Sequence, residues 1–102
     1  MSKTKRPTSV MILGTKFRIE YPEIIQDESE QVCGSMTGDE RLIKISLKEN
    51  PTELQLHSSL VHEIVHACLY VSGLSQVLDD KLEEAVVVAL EHGIGPIFRR
   101  NF

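Results

Sequence analysis

The sequence has 102 residues, of which 41% are hydrophobic and 25% are charged, and its formal net charge is −4. This length predicts one domain, and the acidic balance argues against the broad attraction to phosphate that nucleic-acid binders show. The longest apolar run, residues 85–90, is far shorter than the roughly 20 residues of a membrane span. We therefore expect a cytoplasmic protein with no nucleic-acid or membrane partner.

The first part of the chain is predicted to form a short tail and then a hairpin. Residues 1–8 are basic and predict a flexible tail, which precedes a single domain of residues 9–102. Residues 10–21 alternate in polarity on either side of Gly14, and this pattern predicts two strands joined by a turn.

Two further strands are predicted before the first helix. Residues 22–30 are acidic and predict a loop, whereas residues 31–36 and 41–47 predict strands joined by a tight turn. In the second of these strands, Lys44 and Ser46 are expected to face solvent, opposite an apolar face.

Two helices are predicted in the second half of the chain. Asn50 is expected to cap the first helix, and Gly73 is expected to end it. The second helix is predicted to begin at Asp79 or Asp80 and to end at Gly93. The predicted fold class is therefore α+β, with a small antiparallel or mixed sheet followed by two helices.

The first predicted helix contains the motif H-E-x-x-H, from His62 to His66. Residues four apart on a helix lie one above the other, so both imidazoles can reach one metal ion. Glu63 lies roughly 100° around the helix from His62, where it can border the site and accept a proton from a metal-activated water. The motif therefore predicts a zinc site with Glu63 as the general base.

A catalytic zinc site needs a third protein ligand and keeps a fourth position for water. Leu69 and Ser72 lie where the metzincin pattern requires Gly and His, and this excludes that pattern. The remaining donors lie on or beside the second predicted helix: Asp79, Asp80, Glu83, Glu84, Glu91 and His92. Their spacing leaves the choice among them open.

The motif and the second helix together resemble a known class of enzymes. H-E-x-x-H followed by a glutamate on a later helix is similar to the gluzincins, the thermolysin-like metallopeptidases. More narrowly, residues 61–67 and 83–87 resemble the short zincin-like metallopeptidases of phages and prophages. The resemblance implies a zincin-like fold in which the H-E-x-x-H helix packs against the sheet.

The resemblance also implies an activity and a set of ligands. It implies a zinc metallopeptidase that hydrolyses a peptide or protein substrate, with Zn²⁺ held by His62, His66 and Glu84 and with Glu63 as the general base. Glu83 is the alternative third ligand, because it lies nearer the centre of the apolar face of the second helix.

Several other features have alternative roles. Tyr70 is expected to pack against the domain, with a contact to substrate as the alternative. His92 is expected to interact with the end of its helix, with a role in the site as the alternative. The backbone edge of residues 41–47 is expected to pair with an extended peptide substrate. The sequence leaves open the role of residues 97–102 and the oligomeric state.

Two other functions are compatible with the motif. A short chain has few residues with which to build the walls of a substrate cleft, which favours a zinc-stabilised binding or regulatory module without turnover. Such a module would have a closed site, with His92 or a second carboxylate in the position of the water. A zinc-free helical adaptor would instead fold normally after both His62 and His66 are replaced by Ala.

Overall fold

The computed structural model describes residues 6–101, with side chains as far as residue 97. In this part of the chain the strands are β1 (Ser9–Ile12), β2 (Thr15–Glu20), β3 (Gln26–Asp27), β4 (Glu30–Gln31), β5 (Gly34–Thr37) and β6 (Leu42–Ile45). The helices are α1 (Glu53–Ser72) and α2 (Asp80–Asn101), and a short 3₁₀ turn (Leu74–Gln76) lies between them. The fold is therefore α+β, with a sheet followed by two helices, as predicted.

β1 and β2 form the predicted hairpin, with Ile12 opposite Thr15. Leu13 and Gly14 occupy the turn, with φ angles of 50° and 81°. Positive φ at both central residues suits the right-handed twist of the flanking strands. Glycine adopts this conformation readily, whereas Leu13 is in a region that branched side chains seldom occupy.

β6 lies inside the main sheet, whose strand order is β1-β2-β6-β5. It is parallel to β2 and antiparallel to β5, so the sheet is mixed. The expectation that residues 41–47 would offer an edge to a substrate is wrong, because both edges of β6 are paired. β5 is a terminal strand of the described sheet instead.

The segment between β2 and α1 differs from the prediction in three details. Residues 22–30, predicted to be a loop, contain β3 and the beginning of β4. Residues 31–36, predicted to be one strand, are divided between the end of β4 and β5. Ser46, predicted to face solvent, is 0% exposed. Its hydroxyl donates a hydrogen bond to the carbonyl oxygen of Glu23 and accepts one from the N–H of Glu49. A polar side chain can be buried when its hydrogen bonds are made within the protein, and alternation of polarity does not reveal this.

The N-terminus of α1 is capped by Thr52, and the prediction of Asn50 as the cap is wrong. The Thr52 hydroxyl accepts a hydrogen bond from the N–H of Gln55, and the Gln55 side chain accepts one from the N–H of Thr52. Asn50 is buried, and its amide donates to the carbonyl oxygens of Cys33 and Ser46. Asn50 therefore ties the approach to α1 to the strands.

The other helix ends agree with the prediction, with one exception. Gly73 ends α1 with a left-handed φ of 86°, and Asp79 caps α2 by accepting a hydrogen bond from the backbone N–H three residues later. α2 does not end at Gly93 but continues to residue 101. A glycine inside a helix lowers the stability of the helix by only about 1 kcal/mol relative to alanine. The turn of α2 that follows Gly93 also packs on α1. There Gly95 is buried, and a Cβ on it would lie 3.6 Å from Val61.

α1 lies between the sheet and α2, so the hydrophobic core has two parts. Between the sheet and α1 the buried residues are Ile12, Phe17, Ile19, Ile43, Ile45, Leu56, Leu60 and Ala67. Between α1 and α2 they are Val61, Val65, Leu69 and Val87. α1 is thus held from both sides, whereas α2 forms an outer layer.

Part of the predicted tail contacts the domain. Arg6 forms an ion pair with Glu53 at 3.0 Å, and the carbonyl oxygen of Pro7 accepts a hydrogen bond from the hydroxyl of Tyr21. The rest of the predicted tail, residues 1–5, lies outside the described residues. Within the described residues, neither helix has the length and apolar character needed to cross a membrane.

Candidate metal centre

The two helices face each other with complementary polar side chains. His62 and His66 lie one turn apart on α1, with their ring centroids 5.0 Å apart. Glu83, Glu84 and Glu91 of α2 contact these two rings. Because the helices run antiparallel, the later glutamate contacts the earlier histidine, and five ionisable groups meet between α1 and α2.

The carboxylate of Glu84 lies between the two imidazoles. Its Oε2 is 3.2 Å from Nε2 of His62, and its Oε1 is 3.2 Å from Nε2 of His66. His62, His66 and Glu84, which we call the metal group, each offer one ligand atom, and these atoms lie within 4.8 Å of one another. Two ligand atoms on one tetrahedral zinc lie roughly 3.3 Å apart, given bonds of about 2.0–2.1 Å. The two carboxylate–imidazole distances are close to this value, and the three predicted ligands form a group that could hold one ion.

Each imidazole has a second carboxylate on its other nitrogen. Nδ1 of His62 is 2.8 Å from Oε1 of Glu91, and Nδ1 of His66 is 2.8 Å from Oε2 of Glu83. A proton on Nδ1 that is donated to a carboxylate leaves the lone pair on Nε2, the nitrogen that faces Glu84. Glu83, the alternative third ligand, thus contacts the nitrogen of His66 opposite to the one that Glu84 contacts.

The contact of Glu91 with His62 was not anticipated from the sequence, in which Glu91 was considered only as a ligand. Glu91 also accepts a hydrogen bond from the hydroxyl of Ser58. Burial opposes the ionisation of Glu91, but the hydrogen bonds from Ser58 and His62 outweigh it, so the pKa of Glu91 is lowered. Helical spacing was the signal in the sequence that could have indicated this contact. Ser58 lies one turn before His62 on α1, and Glu91 lies two turns after Glu84 on α2.

Glu63 borders the site from the side of the sheet. Its side chain lies against β5, where a Cβ on Gly34 would be 3.1 Å from Cγ of Glu63. Burial raises the pKa of Glu63, against the lowering effect of the two histidines of the metal group. A cleft of about 350 Å³ is lined by Cys33, Gly34, Ser59, His62, Glu63 and Glu91. Glu63 therefore shares this cleft with a member of the metal group, as the helical spacing predicts.

Tyr70 and His92 lie outside the metal group. The Tyr70 hydroxyl donates a hydrogen bond of 2.9 Å to Oδ1 of Asp39, and Tyr70 lines a separate cavity of about 650 Å³. His92 is largely exposed, and its Nε2 lies 3.8 Å from Oε2 of Glu91. His92 thus reaches the edge of the site through Glu91, and among the described residues it is not one of the grouped ligand atoms.

Comparison with known proteins gives no function for this chain, so the argument for one rests on the chemistry of the site. The chain was compared with models of protein families, with curated proteins and with solved structures, and no match was found. The donor set itself fits zinc, since two imidazole nitrogens and one carboxylate oxygen are ligands that Zn²⁺ commonly takes. A group of this kind can hold a divalent ion between α1 and α2, with Glu63 beside it.

Proposed function

We propose that this chain is a zinc-dependent metallopeptidase of the gluzincin type, with His62, His66 and Glu84 as ligands and Glu63 as the general base. The observation that carries the proposal is the carboxylate of Glu84, which lies 3.2 Å from Nε2 of both histidines. The carboxylates on both Nδ1 atoms support it, because they leave each Nε2 available for a metal. The arrangement of an H-E-x-x-H helix between a mixed sheet and a glutamate-bearing helix is compatible with a zincin-like fold.

Zinc in such a site supplies Lewis acidity, which polarises a peptide carbonyl and makes a water more acidic. Glu63 accepts a proton from the attacking water as the oxygen adds to the carbonyl carbon. The same carboxyl group then delivers that proton to the leaving nitrogen as the C–N bond breaks. The buried position of Glu63 in a cleft shared with His62 supports this role, since it keeps the carboxylate close to the metal group and largely out of bulk water.

The register of β5 supports an extended peptide as the substrate. The N–H of Ser46 donates to the carbonyl oxygen of Cys33, which fixes the alternation of hydrogen bonds between β5 and β6. By that alternation, Gly34 and Met36 direct their main-chain groups away from β6, towards the edge of the described sheet. Gly34 lies beside Glu63, so a peptide that paired with this edge would pass the general base.

One observation favours a second candidate, a zinc-stabilised binding or regulatory module. All members of the metal group join α1 to α2, so a bound ion would hold the outer helix onto a small core. Both candidates need zinc, and they differ in turnover. Cleavage of peptides by the zinc-loaded wild type separates them, and replacement of Glu63 then tests whether that cleavage depends on the general base.

The first test is elemental analysis of protein purified without added metal or an affinity tag. We expect about one zinc per chain in the wild type, loss of zinc in Glu84→Ala, and retention of weakened zinc binding in Glu83→Ala. Folded wild-type protein that neither contains zinc nor takes it up would overturn both candidates and favour a zinc-free adaptor.

The second test is cleavage of a mixture of unstructured peptides, followed by mass spectrometry. The wild type should cleave, and Glu63→Gln should bind zinc but lose at least about 100-fold in rate. Glu30→Gln, at an exposed carboxylate on β4, is the matched control and should cleave normally. Zinc-loaded wild type that cleaves no peptide would favour the binding module.

A further inference from the structure

The outer edge of β5 leads from the candidate metal centre to a second cavity. Gly34, at the start of this strand, lies beside Glu63. Gly38, just after its end, lies so close to Tyr70 that a Cβ on it would overlap the ring. Tyr70 follows Glu63 by seven residues, which places both on one side of α1, about 10 Å apart along its axis. Four strand residues span roughly 13 Å, so β5 and α1 run side by side from Glu63 to Tyr70.

The second cavity, which we call the end cavity, has a volume of about 650 Å³ and lies where β5 ends. Its walls are the turn between β5 and β6, the beginning of β2, the last turn of α1 and the 3₁₀ turn that follows. Its charged residues are Asp39 and Arg41, both on the turn that follows β5. A peptide paired with the outer edge of β5 would therefore pass Glu63 and then reach these two side chains.

The two charged residues of the end cavity differ in their contacts. Asp39 accepts a hydrogen bond of 2.9 Å from the hydroxyl of Tyr70. Arg6 and Arg18 each pair with a glutamate at 3.0 Å, whereas Arg41 makes no ion pair within the described residues. The hydrogen bond to Asp39 raises the pKa of Tyr70, and Arg41 has a smaller lowering effect, so its positive charge lies near this hydroxyl. Arg41 thus offers the cavity a cation that no carboxylate of the domain neutralises.

The backbone of Arg41 is fixed in an uncommon conformation. Its φ angle is 51°, in the left-handed region that side chains other than glycine seldom adopt. Its N–H donates to the carbonyl oxygen of Gly38 at 3.1 Å, and its own carbonyl oxygen accepts from the N–H of Arg18 at 2.9 Å. Such a conformation persists where the surrounding structure holds it, and it is often found at ligand sites. The guanidinium therefore projects from a backbone that is held on both sides.

We propose that the end cavity binds a carboxylate of the peptide substrate through Arg41, about four residues from the bond that is cleaved. The planar guanidinium can donate two parallel hydrogen bonds to a carboxylate, and this pairing is both strong and directional. The carboxylate belongs either to an acidic side chain of the peptide or to its C-terminus. This proposal rests on the peptide-binding edge of the proposed function, and it makes Arg41 a determinant of specificity, not a catalytic residue.

Peptide binding to the Glu63→Gln protein tests the proposal without cleavage. The probes are short peptides of Ala, Ser and Thr that are blocked at both ends and carry either one Glu or one Gln. Binding is followed by the NMR signals of isotope-labelled protein, including the Nε–H of Arg41. We expect the Glu peptide to bind at least about 10-fold more tightly than the Gln peptide and to shift the Arg41 signal.

A third probe distinguishes the two sources of the carboxylate. It is the Gln peptide with a free C-terminal carboxylate in place of the blocked end. Tighter binding of this probe would identify the C-terminus as the source, whereas a gain from Glu alone would identify the side chain. Equal affinities of all three peptides would overturn the proposal.

Variants at two arginines test the role of Arg41. Arg41→Gln in the Glu63→Gln protein should remove the preference for a carboxylate, and Arg41→Lys should keep part of it, because lysine retains the charge but not the paired donors. Arg18→Gln is the matched control, since it removes the same charge from β2 on the face of the sheet opposite to Phe17, and it should keep the preference. Equal loss in Arg18→Gln and Arg41→Gln would overturn the proposal, and circular dichroism would establish that the variants are folded.

Mapping of cleavage sites separates this proposal from the proposed function. The wild type should cut preferentially at bonds about four residues from an acidic residue or from the C-terminus, and Arg41→Gln should cut without that preference. Cleavage by the wild type with no such preference would overturn only the role of Arg41. Carboxylate binding that depends on Arg41, in a chain that cleaves no peptide, would support the end cavity as a binding site and favour the binding module.

Discussion

A Cβ atom on Gly34 would lie 3.1 Å from Cγ and 3.2 Å from Oε2 of Glu63. The absence of a side chain at position 34 therefore makes room for the Glu63 carboxylate between α1 and β5. Contacts of 3.0–3.4 Å to a Cβ are tighter than nine in ten of those found in proteins, so a neighbouring group would have to move by a few tenths of an ångström if a Cβ were added. The glycine on the edge strand and the glutamate of the motif thus depend on each other.

We predict that Gly34→Ala displaces Glu63 and lowers peptidase activity by about 100-fold, since catalytic groups tolerate little misplacement. Zinc content should stay near that of the wild type, because the substitution leaves His62, His66 and Glu84 in place. The measurement is the turnover number together with zinc content. Gly95→Ala is the control, because a Cβ there makes an ordinary contact of 3.6 Å with Val61 and should leave turnover unchanged. Full activity in Gly34→Ala would contradict the conclusion that the packing of Glu63 against Gly34 positions the general base.

We predict that Glu91→Gln weakens zinc binding by about 10- to 100-fold without abolishing it, because Glu91 supports His62 through Nδ1 and is not itself a ligand. The measurement is competition for zinc with a chromophoric chelator. Glu30→Gln, at an exposed site away from the helices, should bind zinc as the wild type does. Loss of zinc in Glu91→Gln as complete as in Glu84→Ala would instead identify Glu91 as a ligand.

The features that the sequence predicts well depend on residues close together in the chain. The hairpin at Gly14, the end of α1 at Gly73 and the pairing of His62 with His66 all follow from turn chemistry or helical spacing. The role of Glu84 as the third ligand was predicted from the family resemblance and not from spacing. Its distance from His66 depends on how α2 packs on α1, which local patterns do not specify.

The features in which the structure differs from the prediction depend on contacts between distant segments. β6 is internal because it pairs with β2 through a parallel contact that no local pattern specifies. Asn50 has the side chain of a helix cap, yet its amide bonds to Cys33 and Ser46, and Thr52 caps α1 instead. At Asn50, hydrogen bonds to the strand region outweigh a preference for capping that is worth about 1 kcal/mol.

We predict that Asn50→Ala destabilises the protein by about 3 kcal/mol. The substitution removes the amide that donates to Cys33 and Ser46, and it also removes the oxygen that accepts a 2.6 Å hydrogen bond from the hydroxyl of Ser59. Buried groups left without partners carry the full cost of desolvation. The free energy of unfolding is measured by urea denaturation with saturating zinc. Thr52→Ala is the control, and it should lower the free energy of unfolding by only about 1 kcal/mol, because it removes an exposed helix cap. Equal effects of the two substitutions would contradict the role of Asn50.

The ionisation of Tyr21 gives a prediction that does not depend on metal. Burial raises the pKa of Tyr21 to about 12, with a lowering effect from Arg6 and a raising effect from Glu53, and its hydroxyl donates to the carbonyl oxygen of Pro7. In the unfolded chain the same phenol ionises near pH 10. Between these values the unfolded state binds fewer protons than the folded state, so the free energy of unfolding falls as pH rises.

We predict that Tyr21 in the Tyr70→Phe variant ionises with a midpoint near pH 12, as measured by tyrosinate absorbance. The chain has two tyrosines and no tryptophan, so this variant reports on Tyr21 alone. Far-ultraviolet circular dichroism, followed in parallel, separates ionisation of the folded protein from unfolding. Tyr21→Phe should lessen the loss of stability between about pH 10 and 12, because the group that titrates there is absent. A midpoint near 10 while the helical signal is intact would mean that the phenol is exposed and that residues 6–8 do not cover it.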